Sequence, residues 1–218
     1  MDCLLAAATA KEIIPFLDRF GKAQQRWPSG LSIDVLITGI GLTATTYSLT
    51  KQFSLKRPDL VIQAGVAGCF DKSIPFGTVL AIKQDAIADE SVVELKKLKP
   101  LFNLKLVPQN RAPYKNGWLV NPGTVLFKKS QLKPVKGISV NQITTSNRAI
   151  RFYKDEFNPV TESMEGAALH YVCLLEKIPF LQIRSVSNYI GERNKKKWNM
   201  KDSIDNLNIE LVSLLGKL

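Results

Sequence analysis

Strand-like and helix-like stretches take turns along this chain, and glycine-bearing or polar turns separate most of them. Residues 2–8 (DCLLAAA) form a short apolar run, and Ile13, Ile14, Phe16, Leu17 and Phe20 give residues 9–20 helical spacing. Residues 32–38 read as a strand closed by Gly39-Ile40-Gly41, with a helix over 42–53. Residues 59–64 (DLVIQA) have the continuous apolar character of a strand buried on both faces. Gly65-Val66-Ala67-Gly68 reads as the turn that closes it. Residues 77–89 are strand-like, 91–118 weaken into loops rich in Pro, Asn and Lys, and order returns at 137–143. Helices are expected near 147–154, 165–176 and 201–215, with strands near 160 and over 180–187.

This alternation predicts an α/β fold, a mostly parallel or mixed twisted central sheet flanked by helices. A chain of 218 residues is long enough for one sizeable core, so a single domain over 1–218 is expected. Ligands of such sheets sit beyond the carboxyl ends of the strands. That rule selects Thr9 and Glu12, Gly39 to Gly41, Gly65 to Gly68, Gln142 to Thr145, Met164 and Glu165, and Ser187 and Asn188.

Several function classes fall away. No apolar run approaches the ~20 residues that span a bilayer. The opening MDCLLAAATAKEI carries an Asp at position 2 and no basic segment, so it reads as a first core strand, not a leader. Cys3, Cys69 and Cys173 are odd in number, far apart and set in apolar surroundings, and His170 is the single histidine. Reduced thiols, no metal site and a cytoplasmic home are therefore expected. A net charge of +11 suggests an acidic partner, but the basic clusters ELKKLKP, FKKSQLKP and ERNKKKW are dispersed and lie on no aromatic-studded helix. They read as solvated faces, with no nucleic-acid or membrane surface. Neither GIG nor GVAG extends to a dinucleotide fingerprint or a P-loop, so close backbone approach to a neutral ligand is expected, and no cofactor.

Each candidate has a structural and a chemical reading. Thr9-Ala10-Lys11-Glu12 matches a capping box, while a carboxylate at the mouth of the sheet can orient and deprotonate water. Glu165 at a helix start suits the macrodipole, and its two oxygens can also grip vicinal hydroxyls such as those of a ribose. His170 lies on a largely apolar helix and reads as packed or partly exposed, not catalytic; without G-x-S-x-G or a second histidine a hydrolase triad has little support. Asn188 is a turn former in one reading, and in the other an amide delivered by a strand leaving the core.

In order along the chain, AAATAKEI, ITGIG, PDLVIQAGVAG, VNQITTSNRAI, ESMEGAALHYVC and IPFLQIRSVSN resemble the purine nucleoside phosphorylase and nucleosidase superfamily over most of its length. The resemblance implies a nucleoside phosphorylase-like fold and a small-molecule nucleoside substrate. Phosphorylases of that superfamily resemble R-V-G-[ST]-x-G at the third strand, where this chain has Gln63 to Gly68, without the arginine or the hydroxyl. Phosphate beside Glu12 and without arginine is poorly bound, so water is the implied nucleophile.

Methylthioadenosine and adenosylhomocysteine nucleosidases are similar in the Met-Glu pair and the early glutamate, but their strand ends in Ser-Asp where this one ends in Ser187-Asn188. An asparagine offers amide hydrogens to an O6 acceptor and its carbonyl to a proton on N7, which fits hypoxanthine or guanine and not adenine. The tail RSVSNYIGERNKKKWN is similar to the futalosine hydrolase branch, whose substrate carries hypoxanthine on a ribose extended by a carboxyphenyl ketone. That implies release of hypoxanthine in a menaquinone pathway. It implies Glu165 on the ribose hydroxyls, Met164 under the sugar, Glu12 on the water, and Asn188 with Ser187 at the departing base. Gln142 and Ile143 would line that base, with the backbone of Gly65, Val66 and Ala67 close to it. Arg193, with Asn194 and Trp198 nearby, would hold the carboxylate, a plain solvated loop being the other reading. A homodimer or larger homo-oligomer is implied too. The alternatives are an adenine-releasing nucleosidase and, more distantly, a non-catalytic nucleoside- or nucleic-acid-binding protein.

Overall fold

The computed structural model describes residues 1–20, 27, 30–95 and 97–218, Arg19 and Phe20 by backbone alone. The elements follow as β1 (Asp2–Ala7), α1 (Ala10–Phe20), β2 (Ser32–Ile37), α2 (Leu42–Leu55), β3 (Leu60–Cys69) and β4 (Val79–Asp85). Next come β5 (Ser91–Glu94), β6 (Lys97–Pro100), β7 (Leu119–Val120), α3 (Thr124–Ser130), β8 (Pro134–Ser139) and α4 (Asn147–Phe157). The chain closes with β9 (Thr161–Ser163), α5 (Gly166–Glu176), β10 (Phe180–Tyr189), a single 3-10 turn at Lys195–Lys197, and α6 (Met200–Leu215).

The fold is α/β, with one mixed sheet in the order β10-β4-β8-β9-β3-β1-β2 and helices on both faces. β3 also pairs with β10, so β3, β9, β8, β4 and β10 close into a ring from which β1 and β2 extend. Successive residues of a strand point to opposite faces, and here both faces are covered. Leu5, Ile62, Leu181 and Ile183 pack with Ile13 and Phe16 of α1 and Leu207 and Leu211 of α6. Leu4, Ala6, Val61 and Phe180 pack with Leu49 and Phe53 of α2 and Leu169 and Val172 of α5. That two-sided burial is why these strands read as unbroken apolar runs.

Gly65-Val66-Ala67-Gly68 is not a turn. β3 runs on through it to Cys69, because β10 lies parallel to it over 61–69 and β9 meets its other edge at Gly68 and Cys69. β1 has already left that second edge, its last pair being Ala6 with Gln63. One edge of β3 is thus shared by two strands, with a gap around Val66. Gly65 permits this packing: a Cβ there would lie 2.5 Å from Arg184 Nη1 and 2.9 Å from Glu12 Oε1. The Gly39-Ile40-Gly41 turn stands as read, both glycines at positive φ.

Three other expectations need correction. The weak stretch 91–118 contains the hairpin β5–β6, whose alternation is too short and too lysine-rich to read as strand; Lys96 lies outside the described residues. α3 and the two-residue β7 were not expected. β10 continues past Ser187 to Tyr189 by means of a bulge: Val186 pairs with Ala67 and Asn188 with Gly68, leaving Ser187 as the extra residue.

Candidate active site

The carboxyl ends of the strands enclose a cavity of about 250 Å³, on the scale of a small organic ligand. Ala8, Thr9 and Glu12 follow β1, Ile40 follows β2, and Val66 to Gly68 come from β3. Ile143 and Thr144 follow β8, Glu162 to Glu165 run from β9 into α5, and Ser187, Asn188 and residues 190–193 come from β10 and beyond, joined by Trp198 and Met200.

Glu12 has both the capping and the cavity role. Its Oε2 accepts from the Thr9 backbone N–H at 3.1 Å and from the Thr9 hydroxyl at 3.3 Å, half of a capping box. Its Oε1 accepts at 3.0 Å from Val66 N–H, in the gap where β3 has no strand neighbour on that edge. Burial raises the carboxyl's pKa, and the Glu165 charge adds to that, against the Arg184 charge and the Val66 and Thr9 N–H groups. The segment is braced from α6. α1 loses helical geometry at Ile13, two residues before Pro15, and Asn208 of α6 bridges the break. Asn208 Nδ2 donates to Glu12 C=O at 2.9 Å and its Oδ1 accepts from Phe16 N–H at 3.0 Å, standing in for the i to i+4 bond of an unbroken helix.

Glu165 begins α5 without capping it by side chain. Its Oε1 accepts from Gly41 N–H at 3.2 Å and its Oε2 from Arg184 Nη1 at 3.3 Å. Arg184 is 1% exposed, and sequence reading passed over it inside QIRSVSN. It also donates to Val66 C=O (3.3 Å) and Gln63 Oε1 (3.0 Å). With its amide oriented to satisfy its neighbours, Gln182 accepts from Arg184 Nε (3.1 Å) and donates to His170 Nε2 (2.9 Å) and Asp85 Oδ2 (3.2 Å). Asp85 accepts from the Ser139 hydroxyl at 3.0 Å, and burial pushes its carboxyl up to about 6. His170 is fully buried, bonded to Leu119 C=O at 2.8 Å and packed edge-on against Phe180. Burial lowers its pKa to about 4, which keeps it neutral, and of the two places expected for it, packed or partly exposed, it takes the packed one.

Ser187 donates to Ala67 C=O at 3.3 Å and to Asn188 Oδ1 at 3.0 Å, fixing the amide's orientation beside the cavity. Met164 lines the cavity with Glu165. Gly65 lies beneath Arg184 and Glu12 and is not part of the lining, whereas Val66 and Ala67 are. Ile143 lines the cavity, but Gln142 does not: its side chain is exposed and its N–H is bonded to Asp89 at 3.3 Å. Thr144 takes the place given to Gln142. Arg193 lies over the Trp198 ring at 5.6 Å, both lining the cavity, while Asn194 caps the 3-10 turn. Among the described residues, Arg193 is the only cation in the lining, and no cluster of His, Cys, Asp and Glu suits a metal ion. Among the same residues no helix is long and apolar enough to cross a membrane.

A family model described as the phosphorylase superfamily matches residues 19–215. The chain belongs to the phosphorylase superfamily. Among curated members, futalosine hydrolase of Thermus thermophilus is 26% identical over 218 residues, covering 98% of this chain and 95% of that protein. 5'-Methylthioadenosine/S-adenosylhomocysteine nucleosidase of Buchnera aphidicola from Acyrthosiphon pisum is 26% identical over 182 residues, covering 80% of this chain and 74% of that one. Superfamily structures superpose closely. The native futalosine hydrolase of Helicobacter pylori gives a TM-score of 0.82 at 22% identity, covering 100% of this chain and 98% of that one. The Helicobacter pylori 5'-methylthioadenosine/S-adenosyl homocysteine nucleosidase, complexed with a pyrrolopyrimidinylmethyl pyrrolidinol, gives 0.81 at 22% identity, covering 100% and 99%.

The brace across α1 carries a measurable consequence. Asn208→Leu keeps the branching of the side chain but removes the donor to the buried Glu12 carbonyl, and should lower unfolding stability by about 1–3 kcal/mol. Urea titration reads the change, and an unaltered midpoint would show that the bridge contributes nothing.

Proposed function

We propose that this superfamily member is a nucleosidase that hydrolyses the N-glycosidic bond of a 6-oxopurine nucleoside, futalosine, releasing hypoxanthine and dehypoxanthine futalosine in a menaquinone pathway. The observation that carries the reading is the pair of buried carboxylates, Glu12 and Glu165, facing one cavity with, among the described residues, no uncommitted cation beside them to hold a phosphate. Arg184 is nearby, but its donors are committed to Glu165, Val66 and Gln63. Water, not phosphate, is the nucleophile this arrangement accepts.

As the base departs, positive charge develops on the ribosyl ring, as in glycoside hydrolysis generally. Glu165, oriented by Arg184 and Gly41 N–H, holds the ribose hydroxyls, and Met164 packs under the sugar. Glu12 positions the water and takes its proton, its raised pKa bringing it nearer the working range of a general base. Asn188 donates to O6 of the departing hypoxanthine anion, with Ser187 holding the amide; the amide has no acid proton, so the base takes its proton from solvent water. Arg193 and Trp198 present a cation and an aromatic face to the carboxyphenyl end. The whole chain acts as one nucleosidase domain, in the cytoplasm, on a small molecule and not on nucleic acid.

A second reading, release of adenine from a methylthioadenosine-type substrate, is favoured by the curated relatives of that name. Chromatography of the free base from futalosine and from methylthioadenosine, offered side by side, decides between the two; hypoxanthine from the first is expected, and adenine alone would establish the second.

Glu12→Gln should lower turnover by about 10² to 10⁴, the span of a general base. In the wild type the acid limb of kcat/KM should lie above the ordinary ~4.3 of glutamate, because the base must be ionised and burial makes ionisation harder. A profile flat down to pH 4, or near-normal turnover in the variant, would return Glu12 to capping alone. Asn188→Asp should move preference toward a 6-aminopurine nucleoside, and an unchanged ratio would remove Asn188 from base selection.

We also propose a homodimer or larger assembly. Ile37, Ile40 and Tyr47 are 43%, 61% and 66% exposed around the β2–α2 turn, an apolar set beside the cavity. Sedimentation equilibrium should return a multiple of 24.3 kDa; a monomer at micromolar concentration would contradict it.

A further inference from the structure

β9 is only three residues long and wholly buried, and its central residue is a glutamate. Glu162 is 6% exposed and lines the cavity. One oxygen, Oε1, accepts from Thr144 N–H at 3.1 Å, which fixes the carboxyl; the other, Oε2, has no hydrogen-bond partner among the described residues. An ionised oxygen left in that condition is costly. A ligand that brings a neutral N–H to it removes the cost.

Its position says which ligand edge that is. Glu162 pairs with Gly68 across one edge of β3, and Asn188 pairs with the same Gly68 across the other. Directly opposed residues of an antiparallel pair share a face. Gly68 has no side chain of its own; a Cβ there would run into Ile190 Cδ1 and lie 3.3 Å from Asn188 Nδ2, so the Ile190 side chain covers the glycine. The carboxyl and the amide therefore stand on either side of Gly68, with the apolar Ile190 side chain over the glycine as the floor between them, their backbones two strand spacings, about 10 Å, apart.

We infer that Glu162 is a specificity-determining residue that accepts the N1–H of a 6-oxopurine, while Asn188 donates to the adjoining O6. This rests on the nucleosidase reading above and extends it from one base contact to two. A 6-oxopurine presents a donor at N1 beside an acceptor at O6; a 6-aminopurine reverses both. Against adenine, a carboxylate would face the N1 lone pair and the Asn188 amide hydrogens would face an amine, so both walls discriminate in the same sense. The sugar end of the cavity plays no part in this choice, since Glu165 and Met164 contact groups common to both nucleosides.

Two measurements test it. Isothermal calorimetry of the wild-type protein with hypoxanthine and with 1-methylhypoxanthine should show at least about tenfold weaker binding of the methylated base, which lacks the donor. Base release from futalosine and from its 6-amino counterpart should show Glu162→Gln lowering the 6-oxo to 6-amino ratio of kcat/KM by about 10- to 100-fold. The glutamine keeps an acceptor for Thr144 N–H, and the calorimetric arm needs no variant at all. Equal binding of the two bases, or an unchanged ratio in a folded variant that still cleaves futalosine, overturns the role of Glu162 and leaves the nucleosidase reading standing. A wild-type protein that binds neither base and releases none from either nucleoside overturns both.

Discussion

Val66 is where β3 has parted from β1 and not yet met β9, so its backbone N–H and C=O point into a half-buried gap at the cavity with no strand to pair them. Buried peptide groups must find partners, and here two charged side chains supply them: Glu12 accepts from the N–H and Arg184 donates to the C=O. Much of the site is arranged around that demand. Arg184 reaches Val66 by crossing over β3 from β10, which needs glycine at 65. Its positive charge then orients Glu165 and opposes the effect of burial on Glu12. A single unpaired peptide group thus assembles two carboxylates and a guanidinium at one point.

The buried polar network behind this point has a division of labour. Asp85, Ser139, Gln182 and His170 never reach the cavity, yet they occupy the underside of Arg184 and of the α5 N-terminus, where the Ser139 hydroxyl also accepts from Ala167 N–H. Asp85 and Arg184 carry opposite charge in the same dry region, with the Gln182 amide between them. Networks of this kind fix geometry when every member is satisfied, and they are costly when one is removed. Glu165 is held from below through Arg184 and from the β2–α2 turn through Gly41 N–H.

Sequence made the outer frame legible: alternating apolar strands and helices gave the fold, and the rule that ligands gather beyond strand ends led to Glu12, Met164, Glu165, Ser187 and Asn188, which all line one cavity. What it concealed has physical causes. GVAG looks like a turn because glycine usually marks one, whereas here the glycines admit side chains from neighbouring strands. Arg184 sits among apolar neighbours and looked like part of a strand, since one sequence does not show which charges are paired inside. Glu162 stands inside ESMEGAALHYVC and Asn208 inside the helix expected over 201–215, with nothing local to single either out; they act through partners 18 and 196 residues away. Gln142 and Ile143 were placed as a pair, but in the folded chain Thr144 faces inward and Gln142 faces solvent.

The bulge at Ser187 has a reach beyond its own hydrogen bonds. A strand presents its residues alternately to its two faces, and one inserted residue exchanges the faces for everything after it. Up to Val186 the faces of β10 are set by the hydrophobic core; from Asn188 onward they are set by the cavity. The amide at 188 is therefore a matter of parity as much as of side-chain identity. Two homologous strands carrying the same asparagine, one with the extra residue and one without, would present it to opposite sides of the sheet.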